Sequence, residues 1–182
     1  MGLDMYLVAK KYVGGWDHQE DRTAYTKLAE LFGVTPDEGS PHFNVEACVG
    51  YWRKANAIHR WFVEMVQDGK DECQDSYVSR EQLAELRAAC VQVLSTVETV
   101  DGTLNTGETW YADGRIEKHT KPGQVVAQPS VAASVLPTQG GFFFGNTEYN
   151  EYYLEDLRDT VAIIDRALAM DQSWDFEYQS SW

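Results

Sequence analysis

The chain lacks most of what marks an enzyme or a binding module by inspection. Three cysteines in 182 residues (Cys48, Cys73 and Cys90) are an odd number without paired spacing, which excludes a disulfide framework and argues against a zinc site. The four histidines (His18, His42, His59 and His119) form no HExxH, HxH or Cys–His pattern, so no metal centre is indicated. There is no Gly-x-Ser-x-Gly, Walker or dinucleotide glycine signature, and no cofactor is implied. No apolar run approaches membrane-spanning length, and the Met-Gly-Leu-Asp-Met-Tyr start has neither a basic nor a long apolar region. Tyr6 stands where a myristoylation signal requires Ser or Thr. The expectation is a soluble, cytoplasmic protein with no membrane partner. Cations are scarce as well: 15 Lys and Arg against 29 Asp and Glu give a formal charge of −14. Phosphate backbones are repelled by such a balance, which excludes sequence-independent nucleic-acid binding and suits a basic protein partner instead.

What is present is aromatic and globular. The chain is 43% hydrophobic and 13% aromatic, with six Trp and ten Tyr, enough to bury one core over residues 1–182 without staples. Leu3 to Val13 alternates as a strand before the Gly14-Gly15 turn, and Thr23 to Phe32 carries helical spacing that stops at Gly33. Ser79 to Val97 is a helix opened by the capping box Ser79-Arg80-Glu81-Gln82, with Leu83, Leu86, Cys90, Leu94 and Val97 as its apolar stripe. A further amphipathic helix spans Tyr152 to Met170, and Ser173 to Ser180 alternates as a closing strand. Between these, Thr99 to Ser134 breaks the helical pattern around Trp110-Tyr111-Ala112-Asp113-Gly114-Arg115-Ile116. That excursion reads equally as a two-stranded arm turning on Asp113-Gly114 or as a loop that orders on binding. The fold class expected is α+β: a small antiparallel sheet containing both terminal strands, packed by three long helices, with an inserted hairpin arm.

One stretch stands apart from the charge balance. From Ala47 to Val63 there is no carboxylate but there are three cations, Arg53, Lys54 and Arg60. Helical spacing over Val45 to Val66 gathers Ala55, Ile58, Phe62 and Val66 into a stripe, with Trp52, Asn56, His59 and Val63 along its border. Arg53, Asn56, His59 and Arg60 then converge as candidate ligand contacts. Arg offers planar paired donors for phosphate or carboxylate, Asn pairs a donor with an acceptor, His donates near neutrality, and Trp52 supplies a stacking face. The competing reading gives the arginines to acids of the last helix and makes His59 a hydrogen-bonded core residue.

From Pro129 to Thr147 there is no charge at all, and Phe142 to Phe144 reads as a short buried strand. Thr138, Gly140 and Gly141 of this stretch, with Tyr149 just beyond, complete the candidate ligand set as an opposite wall, through backbone N–H groups and hydroxyls. The run Glu148 to Asp159 offers carboxylates for acid–base work or, equally, a solvated helix face. No catalytic residue is assigned.

Four blocks carry a resemblance. They are Met1-Gly2-Leu3-Asp4-Met5-Tyr6-Leu7, Tyr51-Trp52-Arg53-Lys54-Ala55-Asn56-x-Ile58-His59-x-Trp61-Phe62, Leu136-Pro137-Thr138 with Gly141-Phe142-Phe143-Phe144-Gly145, and Tyr149-x-Glu151-Tyr152-Tyr153. Together the chain resembles a family of small, mostly uncharacterised bacteriophage proteins, over most of its length except the longer Thr99 to Ser134 excursion. The resemblance carries no established activity. It implies a phage product acting in the host cytoplasm. Three roles stay open: sequestration of a small anionic, nucleotide-type immune messenger, acidic mimicry of DNA against a host protein, and nucleotide cleavage. Homo-oligomerisation is open as well.

Overall fold

A four-stranded antiparallel sheet forms the spine of the molecule, and the computed structural model describes residues 2–182. Strand β1 (Asp4–Gly14) lies between β2 (His42–Arg53) and β6 (Asp175–Ser181), and β3 (Ser76–Val78) closes the far edge, in the order β2-β1-β6-β3. Both terminal strands are therefore neighbours, with Met5 opposite Ser180 and Leu7 opposite Tyr178. Alternation decides which face is covered. Met5, Leu7 and Ala9 are buried while Tyr6, Val8 and Lys10 are not, so one face meets the helices and the other meets solvent.

Five helices accompany the sheet: α1 (Arg22–Phe32), α2 (Asn56–Met65), α3 (Arg80–Thr96), α4 (Ser130–Val135) and α5 (Glu151–Leu168). Helix α1 ends as its sequence requires, on Gly33 at φ 62°. Helix α3 opens on the reciprocal box, Ser79 accepting from the Gln82 amide and Gln82 accepting from the Ser79 amide. Helices α3 and α5 pack through Leu83, Leu86, Cys90 and Val93 against Leu154, Leu157, Ile164 and Ala167 in one core with the sheet. Arg87 ties them at the surface to Asp165 at 2.5 Å. Burial pushes the Cys90 thiol up to about 12, so it is an inert core residue.

Three expectations need correction. Where three long helices are expected there are five helices, and only α3 and α5 are long. The segment from Val45 to Val66 is not one helix: residues through Arg53 form β2, and only Asn56–Met65 is helical. Gly50 shows why. It sits under Ile163, where an added Cβ would lie 2.5 Å from the Ile163 Cγ2, so α5 presses directly on the strand backbone. Pairing along all of β1 overrides a helical reading that rested on residues after Ala55. Phe142 to Phe144 is not a strand but a turn, with the Phe144 amide donating to the Gly141 carbonyl; Phe144 is buried and Phe142 is 96% exposed. The connection from α2 to α3 carries the short strand β3 at its end. Of the two readings of the Thr99 to Ser134 excursion, the structure has the two-stranded one. Strands β4 (Thr99–Trp110) and β5 (Ile116–Val126) form a separate two-stranded sheet, and α4 puts Ala132 into the main core.

Candidate functional site

Local backbone chemistry builds the site where β2 gives way to α2. Lys54 holds a left-handed φ of 60°, unusual for a residue with a Cβ, and Ala55 follows in an inverse γ-turn that the Asn56 amide closes onto the Lys54 carbonyl at 2.8 Å. The Lys54 amide donates to the Leu3 carbonyl at 2.8 Å, and the Leu3 amide donates to the Phe143 carbonyl at 3.0 Å. Asn56, 5% exposed, completes the stitching. Its Nδ2 donates to the carbonyls of Phe144 (3.0 Å) and Asn146 (2.8 Å), while its Oδ1 accepts from the Gln139 amide (3.0 Å). The chain start, the β2–α2 junction and the uncharged loop are thus one hydrogen-bonded unit.

Beside it, against the first turns of α5, lies a cleft of about 310 Å³. One wall carries Arg53, Lys54, Asn56, Thr138, Gly145 and Asn146. The other is the face of α5 formed by Tyr152, Glu155, Asp156 and Asp159, an i, i+3, i+4, i+7 set, and Glu148 also lines the cavity. The charges are separated. Among the described residues, neither Arg53 nor Lys54 forms an ion pair. Of the other cations Lys10, Lys11, Arg22, Arg60, Arg87, Arg115, Lys118 and Lys121 do, and Lys27, Lys70, Arg80, Arg158 and Arg166 do not. Of all these unpaired cations the cleft wall holds Arg53 and Lys54 side by side. Burial, reinforced by Asp159 and then Glu155, raises the Asp156 carboxyl to about 7, so at neutral pH it exists in both protonation states.

Of the nine residues singled out in the sequence, the cleft gathers three: Arg53, Asn56 and Thr138. The other six lie outside the cleft, some inside the fold and some on its surface. Trp52 is buried and donates to Thr160 Oγ1 at 2.9 Å, and that hydroxyl donates on to the Asp156 carbonyl at 2.7 Å. His59 is fully buried, with Nδ1 2.7 Å from the Tyr178 hydroxyl and Nε2 3.0 Å from Asp71 Oδ2. Burial and then the Asp71 charge hold the Tyr178 phenol well above its ordinary value, so it keeps its proton. Arg60 pairs with Glu64 at 2.7 Å, the i+4 pairing its spacing suggests. The convergence of Arg53, Asn56, His59 and Arg60 on one ligand is therefore overturned. It presupposed a continuous helix, and the strand at Arg53 dissolves the i, i+4 relation between Trp52 and Asn56.

Tyr149 lies behind the wall, its hydroxyl accepting from the Thr138 amide at 3.3 Å, while Thr138 Oγ1 donates to the Thr147 carbonyl at 3.0 Å. Gly140 and Gly141 are exposed, Gly141 against the Phe144 ring, and neither lines the cleft. Lys54, Asp156 and Asp159 stand outside the candidate ligand set, although Lys54 belongs to the acid-free stretch and both acids to the Glu148 to Asp159 run. The usable signal was the carboxylate spacing on α5, which reads as a solvated face until the β2–α2 junction is set opposite it. Among the described residues no group of His, Cys, Asp and Glu is placed to hold a metal ion. No protein-family model matches the chain, and no curated protein or solved structure matches it either.

Proposed function

We propose that the protein binds a small anionic ligand of nucleotide type in the cleft between the β2–α2 junction and α5. The observation that carries this reading is the pair Arg53 and Lys54, adjacent on one wall and without a carboxylate partner, in a molecule of net charge −14. A guanidinium fork beside an ammonium is suited to phosphate oxygens. The facing carboxylates of Glu155, Asp156 and Asp159 suit the other end of such a ligand, where sugar hydroxyls and base amino groups donate hydrogen bonds. A cavity of about 310 Å³ is at the small end of ordinary ligand sites, the size for one nucleotide unit. Joined to the phage resemblance, the role is capture of a nucleotide-type signalling molecule of the host's defence.

A thermal-shift panel of mono-, di- and cyclic nucleotides tests it. A bound ligand raises the melting temperature by mass action. Arg53→Ala removes the shift while leaving the ligand-free melting temperature in place, because the side chain is exposed and makes no ion pair. No shift with any nucleotide ends this reading and turns attention to a host-protein partner.

One observation favours a second reading, nucleotide cleavage. A cleft carboxyl at about 7 has the protonation balance of a general acid or base at neutral pH. Recovering the ligand after incubation separates the two: intact ligand supports sequestration, a converted one catalysis.

A further inference from the structure

The cleft does not end at its own wall. Lys54, Gly145, Asn146 and Glu148 line it and also line a second, larger groove of about 820 Å³ that runs beneath the β4–β5 arm. Two aromatic side chains with little cover face this second groove. Trp110, the last residue of β4, is 71% exposed, and Phe142, in the turn after Gly141, is 96% exposed. Phe142 is steadied from one side by Phe143, edge to face with ring centroids 4.9 Å apart, which leaves its exposed surface presented rather than folded under. Arm and loop are held in register with the cleft. The Val126 amide donates to the Tyr149 carbonyl at 2.9 Å, and the Gln124 amide donates to Glu151 at 2.9 Å, so the base of the arm is fixed to the start of α5.

Lys54 is the hinge of this geometry. Its left-handed backbone is clamped on both sides, by Leu3 and by Asn56, and its side chain lies on the partition between the two cavities. A cation at the partition, a cleft on one side and an aromatic-flanked groove on the other have the layout of two nucleoside sites joined at an anionic linkage. Resting on the nucleotide reading of the cleft, we infer that the ligand is a pair of phosphate-linked nucleotides, one unit in the cleft and the second stacked against Trp110 and Phe142. Aromatic faces accept any base by stacking, so these two residues set the length of ligand preferred and not its base.

Calorimetric titration of the full chain with the four 5′-mononucleotides and the matching 5′-phosphorylated dinucleotides tests the assignment. On the wild-type protein the best dinucleotide binds at least about tenfold more tightly than its mononucleotide, the gain expected from one stacked base. Trp110→Ala and Phe142→Ala each remove most of that advantage and leave mononucleotide affinity within about twofold, the second readout also showing that each variant is folded. Equal affinity for the two ligand lengths overturns the inference while the cleft reading stands, as does a double variant that keeps the full dinucleotide advantage. Failure of every nucleotide to bind removes the cleft reading, and the inference with it.

Discussion

The two sides of the β2–α2 junction differ in what their polar atoms do. On the helical side, Asn56 and His59 are buried and every side-chain nitrogen and oxygen they own has a partner inside the fold. On the strand side, Arg53 and Lys54 sit three and two residues before Asn56, exposed and without ion pairs among the described residues. The same short sequence thus supplies a lock for the architecture and an adjacent pair of exposed cations, the pair on which the proposed ligand site rests. Polarity on a partly apolar stretch does not distinguish the two; whether a fold-internal partner exists does.

The sharpest way to break this contrast is at Asn56. Asn56→Ala deletes three hydrogen bonds at once and leaves two loop carbonyls and the Gln139 amide without that partner in a largely buried setting. The expected loss is about 2–4 kcal/mol, read as a lowered denaturant midpoint with unchanged slope. A loss below about 0.5 kcal/mol would place Asn56 with Arg53 as a surface residue and dissolve the distinction.

How far the sequence carried the fold depends on where the decisive contacts lie. The capping box of α3, the Gly33 stop of α1 and the paired terminal strands were legible, because alternation and capping are local. The α+β class followed from these. Residues 45–53 misled although Val45, Val49, Tyr51 and Trp52 favour a strand, because the apolar stripe that begins at Ala55 extends back over them at helical spacing; pairing with β1, far away in sequence, decides them. The triplet Phe142 to Phe144 misled for a related reason. Three adjacent phenylalanines suggest common burial, but the turn closed onto Gly141 buries Phe144 and projects Phe142 outward. At the site, Arg53 and Thr138 could be selected from composition alone. Asp156 could not: its raised carboxyl comes from burial beside Asp159 and Glu155, and three neighbouring acids on a helix read the same whether or not a second wall faces them.

A smaller effect probes the carboxylate wall. The Asp156 carboxyl titrates at about 7 in the folded chain and near 4 when unfolded. Between those values the folded state holds the proton more tightly, so stability falls as pH rises from about 4 to about 7, and above that range the penalty is fully present. Asp156→Asn removes the penalty. The variant should match wild type at pH 4 and exceed it at pH 8 by on the order of 1–2 kcal/mol, a figure reduced from the full shift because the side chain is partly exposed to solvent. Urea melts at the two pH values measure it. A variant equally stable, or less stable, at pH 8 would mean that the carboxylate is already satisfied in the cleft, and with it the acid–base reading would go.

The smallest effect separates backbone from charge at Lys54. Its φ of 60° costs a side-chain-bearing residue about 1–2 kcal/mol, which glycine avoids, while glycine's freedom in the unfolded chain returns about 0.4–1 kcal/mol of that. Lys54→Gly should therefore be more stable than Lys54→Ala by up to about 1 kcal/mol, and both lack the ammonium. If the residue is on the strand side of the contrast, a site for a ligand and not a prop for the fold, nucleotide affinity falls equally in the two variants despite their different stabilities. Should affinity instead follow stability, with the glycine variant binding better than the alanine one, the role of Lys54 would be to hold the junction in shape. Arg53 would then be the single cation acting on the ligand directly.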